Sequence, residues 1–308
     1  MTVSYNGNSN IKADGVEQSF TKEEVQEYIR CSKDVAYFCE KYVKVISLDE
    51  GLVPFKLRGY QEKMVNHFSD NRFNIVLACR QSGKSVTSVG WLLHYVMFNA
   101  DKKVGILANK GAIAREMLAR FTLMLEHLPF FLQPGCKVLN KGNIKFSNNS
   151  EIIAAATSSS SIRGQSLNVI FLDEFAFVNR AEEFYTSTYP VISSGEDTKV
   201  IVTSTPNGIG NMFYRIWQGA IQKANEFAPF SITWRDVPGR DDAWRAQTIA
   251  NTSETQFKQE FEVSFLGSSE TLINSNVLLG MQAGAPIKEQ YDILYYEEPE
   301  PGREYVLC

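Results

Sequence analysis

Residues 78–85 read Ala78-Cys79-Arg80-Gln81-Ser82-Gly83-Lys84-Ser85. A glycine, a lysine and a hydroxyl in succession make a receptor for phosphate. Gly83 leaves the backbone open, so the amides of Gln81, Ser82 and Gly83 can point at a polyanion, and a following helix adds its dipole. Lys84 is placed to reach the β- and γ-phosphates of a nucleotide, and the Ser85 hydroxyl to ligate Mg²⁺. A Gly-Lys-Ser tripeptide is common by chance, so its flanks decide. Phe73–Cys79 is an apolar run interrupted only by Asn74, which suits a buried strand. Beyond the loop, Val86, Val89, Leu92, Leu93, Val96 and Met97 recur at helical spacing over Lys84–Asn99. Strand, loop and helix are the context a P-loop requires. Ala78 departs from it, standing where the first glycine is usual.

A second constellation is Val169-Ile170-Phe171-Leu172-Asp173-Glu174. Four apolar residues ending in two carboxylates are the Walker B pattern: Asp173 is delivered to the Mg²⁺ shell, and Glu174 is set to orient and deprotonate an attacking water. Taken alone, paired acids after a strand are more often a solvated strand end. After a P-loop with other strands between, they are the expected second half of a nucleotide site. Thr203-Ser204-Thr205-Pro206 closes a third apolar run, Lys199–Val202. Hydroxyls there could sense a γ-phosphate, or could simply make a turn ahead of Pro206 and Gly208.

The elements that position these groups alternate. Strands are expected at Lys103–Ala108, near Asn143–Phe146 and Glu151–Ala155, at Asn168–Leu172, Lys199–Ser204 and Pro229–Trp234. Helices are expected at Gly59–Ser69, Gly111–Leu128 and Asn211–Ala220. Such alternation predicts an α/β fold with a mainly parallel sheet flanked by helices, and the phosphate loop and acid pair upon it make the expectation a P-loop NTPase of the ASCE/RecA-like kind. Thr21 and Glu24 form a capping-box start for a helical region broken near Ser32, ahead of a turn at Gly51 and Pro54. Residues 1–20 are polar and read as disordered. The P-loop domain is expected over 21–225, a small subdomain or lid over 226–268, a linker over 269–300, and the start of a truncated C-terminal domain over 301–308.

Composition narrows the class. The chain has 308 residues, 44% of them hydrophobic, and a formal charge of −4, values of an ordinary globular protein with a core. No stretch of 18 consecutive apolar residues exists, so no membrane span is expected. The five cysteines are scattered without a C-x-x-C pair, and the three histidines lack metal-ligand spacing. A structural zinc site is not expected. The negative charge argues against a surface devoted wholly to nucleic acid but leaves room for a local basic face.

These strings resemble the large terminase subunit of T4-like tailed bacteriophages, over about Thr21 to Cys308. The marks are the arginine-bearing loop Cys79-Arg80-Gln81-Ser82-Gly83-Lys84-Ser85, the string Leu172-Asp173-Glu174-Phe175-Ala176-Phe177, and Thr203-Ser204-Thr205-Pro206-Asn207-Gly208. The resemblance implies an ATPase that uses ATP and Mg²⁺ to drive double-stranded DNA into a procapsid. It implies a ring of subunits on the portal protein, a small terminase subunit as partner, and work in the host cytoplasm at the portal vertex, outside the mature virion. Arg80 would stabilise the transferring phosphoryl group. Thr203, Ser204 and Thr205 would couple hydrolysis to movement. Leu57-Arg58-Gly59-Tyr60-Gln61 matches the adenine-side motif, with Gln61 reading the base edge and Tyr60 packing near it. Where the family can carry a second glutamine, five residues earlier, this chain has Lys56. Arg163 matches an arginine discussed as a finger into a neighbour's site; the bland reading is a loop arginine paired with a carboxylate. Full-length relatives carry a C-terminal nuclease, and the chain is expected to stop inside that domain's first strand, without nuclease activity.

Two other readings remain. Gln61, the P-loop, Asp173-Glu174 and Thr203–Thr205 also suit a superfamily-2 helicase fragment, which would need a second RecA-like domain. A nucleotide-gated assembly module would need the loop but not the water-activating Glu174.

Overall fold

The computed structural model describes residues 3–157, 165–193, 195–266, 288–290 and 293–295. The chain opens with a hairpin of β1 (Ser4–Tyr5) and β2 (Asn8–Lys12), followed by α1 (Lys22–Lys33) and α2 (Val35–Tyr42). A second hairpin, β3 (Lys44–Ser47) and β4 (Gly51–Pro54), precedes α3 (Gly59–Asp70). The alternating part then runs β5 (Phe73–Ala78), α4 (Lys84–Phe98), β6 (Lys103–Ala108) and α5 (Gly111–Glu126). It continues through β7 (Cys136–Leu139), β8 (Asn143–Phe146), β9 (Glu151–Ala156), β10 (Val169–Asp173) and α6 (Ala181–Ser193). After β11 (Lys199–Ser204), α7 (Met212–Ile221) and β12 (Ala228–Ile232) come α8 (Asp242–Asn251) and α9 (Glu254–Glu260). The chain divides into a unit over Met1–Phe265 and one over Leu266–Cys308. In the second, β13 (Lys288–Gln290) pairs antiparallel with β14 (Ile293–Tyr295).

One eight-stranded sheet holds the first unit together, in the order β12-β5-β11-β10-β6-β9-β8-β7. The six strands from β12 to β9 are parallel, and β8 and β7 extend them antiparallel. Every residue of β5 and β10 is buried, as strands covered on both faces require. Between β5 and β10 the chain inserts β11, a later strand, while β6 lies on the far side of β10. Strand order therefore reverses beside β5. Ligands of open α/β sheets bind in the crevice at the carboxyl ends of such strands.

The expected parallel α/β fold is present, with differences in its margins. Residues 4–12, read as disordered, form a docked hairpin. Ile11 is buried, the Gln133 side chain bonds the Lys12 amide (3.0 Å) and the Asn10 carbonyl (2.9 Å), and Tyr5 Oη accepts from the Leu139 amide (3.1 Å). Backbone pairing to distant residues orders this polar segment, and local sequence does not announce it. The Thr21 capping box forms, and the helical region breaks at Asp34, which caps α2. The turn at Gly51 and Pro54 is a β-hairpin. The segment read as a lid from 226 begins with β12, which is hydrogen-bonded to β5 and so belongs to the main sheet. The pair β13–β14 falls within the expected linker, and 301–308 lies outside the described residues.

Candidate active site

The loop between β5 and α4 is shaped by two left-handed residues, Gln81 (φ 55°) and Gly83 (φ 76°). Gly83 could carry no side chain: a Cβ there would lie 2.7 Å from Gln61 Nε2. Gln61 and Tyr60, from the first turn of α3, brace the loop from behind. Gln61 is buried; its Oε1 accepts from the Arg58 amide (2.9 Å) and its Nε2 donates to Thr87 Oγ1 (2.9 Å). Thr87 donates in turn to the Gly83 carbonyl (2.9 Å), and Tyr60 Oη donates to the Ser82 carbonyl (2.7 Å). Ser82 Oγ closes the loop onto the Cys79 carbonyl (2.9 Å). With both ends of its amide engaged, Gln61 supports the phosphate loop here. Arg58 is exposed and donates to Tyr60 Oη (3.2 Å).

The acidic pair meets this loop from the next-but-one strand. Ser85 Oγ donates to Asp173 Oδ2 (2.9 Å), and Thr203 Oγ1, from β11 between them, donates to Asp173 Oδ1 (2.6 Å). Asp173 is 2% exposed, and among the described residues these donors and nearby Lys84 balance its charge. Lys84 Nζ makes an ion pair with Glu174 and lies 3.9 Å from Asp173 Oδ1. Burial opposes the ammonium, yet the two carboxylates outweigh it and hold the Lys84 pKa above its usual value. Glu174 sits in the left-handed region (φ 52°), where the chain turns off β10 into the 3₁₀ turn Phe175–Phe177. A strained non-glycine conformation at this point aims the carboxylate sideways into the crevice. The second oxygen, Oε2, is buried without a hydrogen-bond partner among the described residues. Ser204 Oγ accepts from the Ala176 amide (3.1 Å), tying the β11 end to the turn behind Glu174. Thr205 is buried next to it.

Arg80 faces outward. Its side chain is 58% exposed and pairs with Glu260 of α9, which raises its pKa. The Arg80 amide also donates to the Glu260 carbonyl (2.9 Å). Of the residues singled out in sequence, Gln81, Ser82, Gly83, Lys84, Ser85, Asp173, Glu174 and Thr203 share one crevice. Arg58, Tyr60, Gln61, Ser204 and Thr205 border it, and Arg163 lies outside the described residues.

Two residues escaped the sequence reading. Arg240 Nη2 donates to the outward carbonyls of Arg80 (3.1 Å) and Gln81 (3.3 Å), while its guanidinium stacks on Trp244 (4.8 Å) and Phe261 (5.4 Å). Nothing local marks this loop arginine. Asn109 follows β6, whose last printed pair with β10 is Leu107↔Leu172, so it stands at the same end of the sheet as Glu174. Its Oδ1 is also buried without a partner among the described residues. A polar residue ending the apolar run Val104–Ala108 was the available signal.

The donor set suits Mg²⁺, since hydroxyl and carboxylate oxygens converge at Ser85 and Asp173. Among the described residues no group of three His, Cys, Asp or Glu could hold a metal. Few protein ligands fit a Mg²⁺ that takes its remaining oxygens from phosphates and water.

The sheet order, the phosphate loop and the facing acid pair define a P-loop ATPase. The profile of the T4likevirus-type terminase large subunit family, N-terminal part, matches residues 75–278. The chain belongs to that family. Solved structures agree on the fold. The ATPase domain of the large terminase of Thermus phage P74-26 superposes with a TM-score of 0.58 at 20% identity, over 69% of this chain and 95% of that one. The HK97 bacteriophage large terminase gives 0.62 at 15% identity, over 80% of this chain and 58% of that one. The large terminase of another thermophilic bacteriophage, solved with ADP, gives 0.55 at 15% identity, over 68% and 53%. This chain thus spans the length of an isolated ATPase domain and somewhat over half of those two longer large terminases.

Proposed function

We propose that this chain is a DNA-dependent motor ATPase that hydrolyses ATP to move double-stranded DNA into a procapsid. The observation that carries the reading is the joining of Lys84, Ser85, Asp173, Glu174 and Thr203 across three strand ends in one crevice. A solvated strand end would leave Asp173 in water; here it is buried against the P-loop serine.

The chemistry follows from these contacts. Incoming phosphate competes with Glu174 for Lys84, so nucleotide binding breaks the Lys84–Glu174 pair and frees the carboxylate. Released, Glu174 accepts a proton from the water that attacks the γ-phosphorus, while the bond from that phosphorus to the ADP oxygen breaks. Lys84 and the loop amides stabilise the charge that develops on the phosphoryl oxygens. Ser85 and Asp173 would hold Mg²⁺, which when bound neutralises charge on the β- and γ-phosphates. Thr203 orients Asp173 by donating to its Oδ1. The buried Glu174 Oε2 and Asn109 Oδ1 are two acceptors without a donor among the described residues, and a water reaching both would satisfy them. Asn109 then positions the water that Glu174 activates.

Ring assembly, the portal protein, the small terminase subunit and placement at the portal vertex in the host cytoplasm belong to this proposal through family membership. Arg163 is proposed to act on a neighbour's nucleotide, where an arginine supplied in trans can raise turnover by about 10³–10⁵. Subunits lacking Arg163 should then be complemented by subunits lacking Glu174, and a verified mixed ring that stays inactive overturns that role. For the motor itself, the test is steady-state ATP hydrolysis with and without duplex DNA. Stimulation by duplex of any sequence supports it, and turnover indifferent to DNA contradicts it.

A further inference from the structure

The acidic residues of this chain are unevenly spread. Residues 127–150 contain none, yet hold Lys137, Lys141 and Lys145. The structure folds the middle of this stretch into the hairpin β7–β8 at one edge of the main sheet, with all three lysines exposed. None of the three makes an ion pair among the described residues; Glu151, registered opposite Lys145, pairs with Lys103 and accepts from Asn143 instead. Lys137 stands at the irregularity between Cys136 and Val138, and Val138 is registered with Lys145. Lys141 occupies the turn, which Asn140 makes rigid: its Oδ1 accepts from the amides of Gly142 (2.8 Å) and Asn143 (2.9 Å).

The geometry points to this hairpin as a contact surface for the phosphate backbone of duplex DNA, an inference that rests on the motor reading above. Lysines on an edge strand often serve only to block pairing with another sheet. That task is already done here. The β1–β2 segment covers β7 through the Ala13↔Cys136 bridge, the bond from the Asp14 amide to the Cys136 carbonyl (3.2 Å) and the Tyr5 hydroxyl on the Leu139 amide. Lys141 and Lys145, moreover, are in the turn and on the inner strand.

An acidic protein partner is the competing occupant, and the surface is poorly made for one. Protein interfaces are anchored by aromatic and other apolar side chains at their centre. The large hydrophobic residues that this molecule exposes lie elsewhere, such as Ile46, Leu48 and Leu52 on the β3–β4 hairpin, and none falls within 127–157. What the β7–β8 hairpin offers is three exposed ammonium groups, donors from which phosphate oxygens can accept. Placement fits as well. Asn143 is registered with Ile153, and the Gly142 carbonyl accepts from the Ala154 amide (2.8 Å), so the turn lies towards the carboxyl ends of the parallel strands, where the nucleotide crevice opens. Contacts to backbone alone carry no sequence information, which suits a grip that must hold any sequence.

The test compares the full chain with its Lys137→Gln/Lys141→Gln/Lys145→Gln variant and with the corresponding triple arginine variant. Binding of a fluorescent 30-base-pair duplex is titrated across salt concentrations, beside ATP hydrolysis without DNA. The glutamine variant should keep its DNA-free turnover and thermal midpoint. It should lose at least about tenfold in duplex affinity, and its log K against log salt slope should shrink by about 2–3, near 0.9 per lysine removed. The arginine variant should bind as the parent does. A wild-type chain that binds duplex, with a glutamine variant of equal affinity and slope, overturns the surface and leaves the motor reading standing. A wild-type chain that binds no duplex overturns both. Loss of binding to polyglutamate with duplex binding intact would assign the surface to an acidic protein and overturn the proposal.

Discussion

Glu174 and Lys84 hold each other, and this pairing sets what each substitution should do. Lys84→Ala removes the phosphate ligand and strands two carboxylates beside one another, so nucleotide affinity and turnover should fall together. Equilibrium binding of a fluorescent ATP analogue checks this, and tight binding by the variant would remove the P-loop assignment. Asn109→Leu fills the same space without the acceptor. If Asn109 positions the water, kcat should fall by about 10–100-fold with KM little changed, since misplacing a reactant costs rate more than binding. The residue scale was the most legible in sequence. Gly83, Lys84, Ser85, Asp173 and Glu174 announce themselves because phosphate chemistry accepts few residue types at fixed spacing. Gln61 was legible as a participant, but its part was not: the bonds to the Arg58 amide and Thr87 belong to three-dimensional neighbours. Arg240 was invisible, because a guanidinium on two carbonyls of the loop leaves no trace in local sequence.

Among the elements, α9 and the turn ahead of α8 touch the phosphate loop from outside. Glu260 pairs with Arg80, Arg240 grips the carbonyls of Arg80 and Gln81, and Gln259 Nε2 donates to the Pro206 carbonyl (3.3 Å) beside the β11 end. An amide cradle is steadier when its outward carbonyls are held, so Arg240→Ala should raise KM for ATP by about tenfold. Arg240→Lys should recover little of it, because a lysine cannot reach both carbonyls and keep the stacking on Trp244. Initial-rate kinetics distinguish the two. The helix α4 carries a pH-dependent tie of its own. His94 Nε2 lies 2.8 Å from the Cys31 carbonyl, with its ring against Phe38 and Phe98, and burial lowers its pKa to about 4. The unfolded chain binds this proton near pH 6.5 while the folded chain resists it until about pH 4. Stability from this group is therefore complete above pH 6.5 and declines as pH falls towards 4. Urea midpoints across that window should drop less steeply in His94→Gln than in wild type. Strands and helices with strong periodicity were legible at this scale. β7, α6, α8 and α9 were not, since their patterns are short or polar and their partners lie far along the chain. The β1–β2 hairpin was hidden for the same reason: long-range hydrogen bonds order it, not its own composition.

For the whole molecule, the fold class followed from alternation of apolar strands with amphipathic helices, and the parallel sheet bears it out. What the alternation could not supply was strand order, and order is what brings Asp173 and Thr203 beside the P-loop. Membership of the terminase family places the site in a packaging machine, and the central claim is that Glu174 performs the hydrolysis that drives it. Steady-state ATP turnover by wild type and Glu174→Gln, with and without duplex DNA, tests this together with nucleotide affinity. The account predicts that the variant binds ATP within a few-fold of wild type and loses at least about 10²-fold in turnover in both conditions. Wild-type turnover by Glu174→Gln would contradict it.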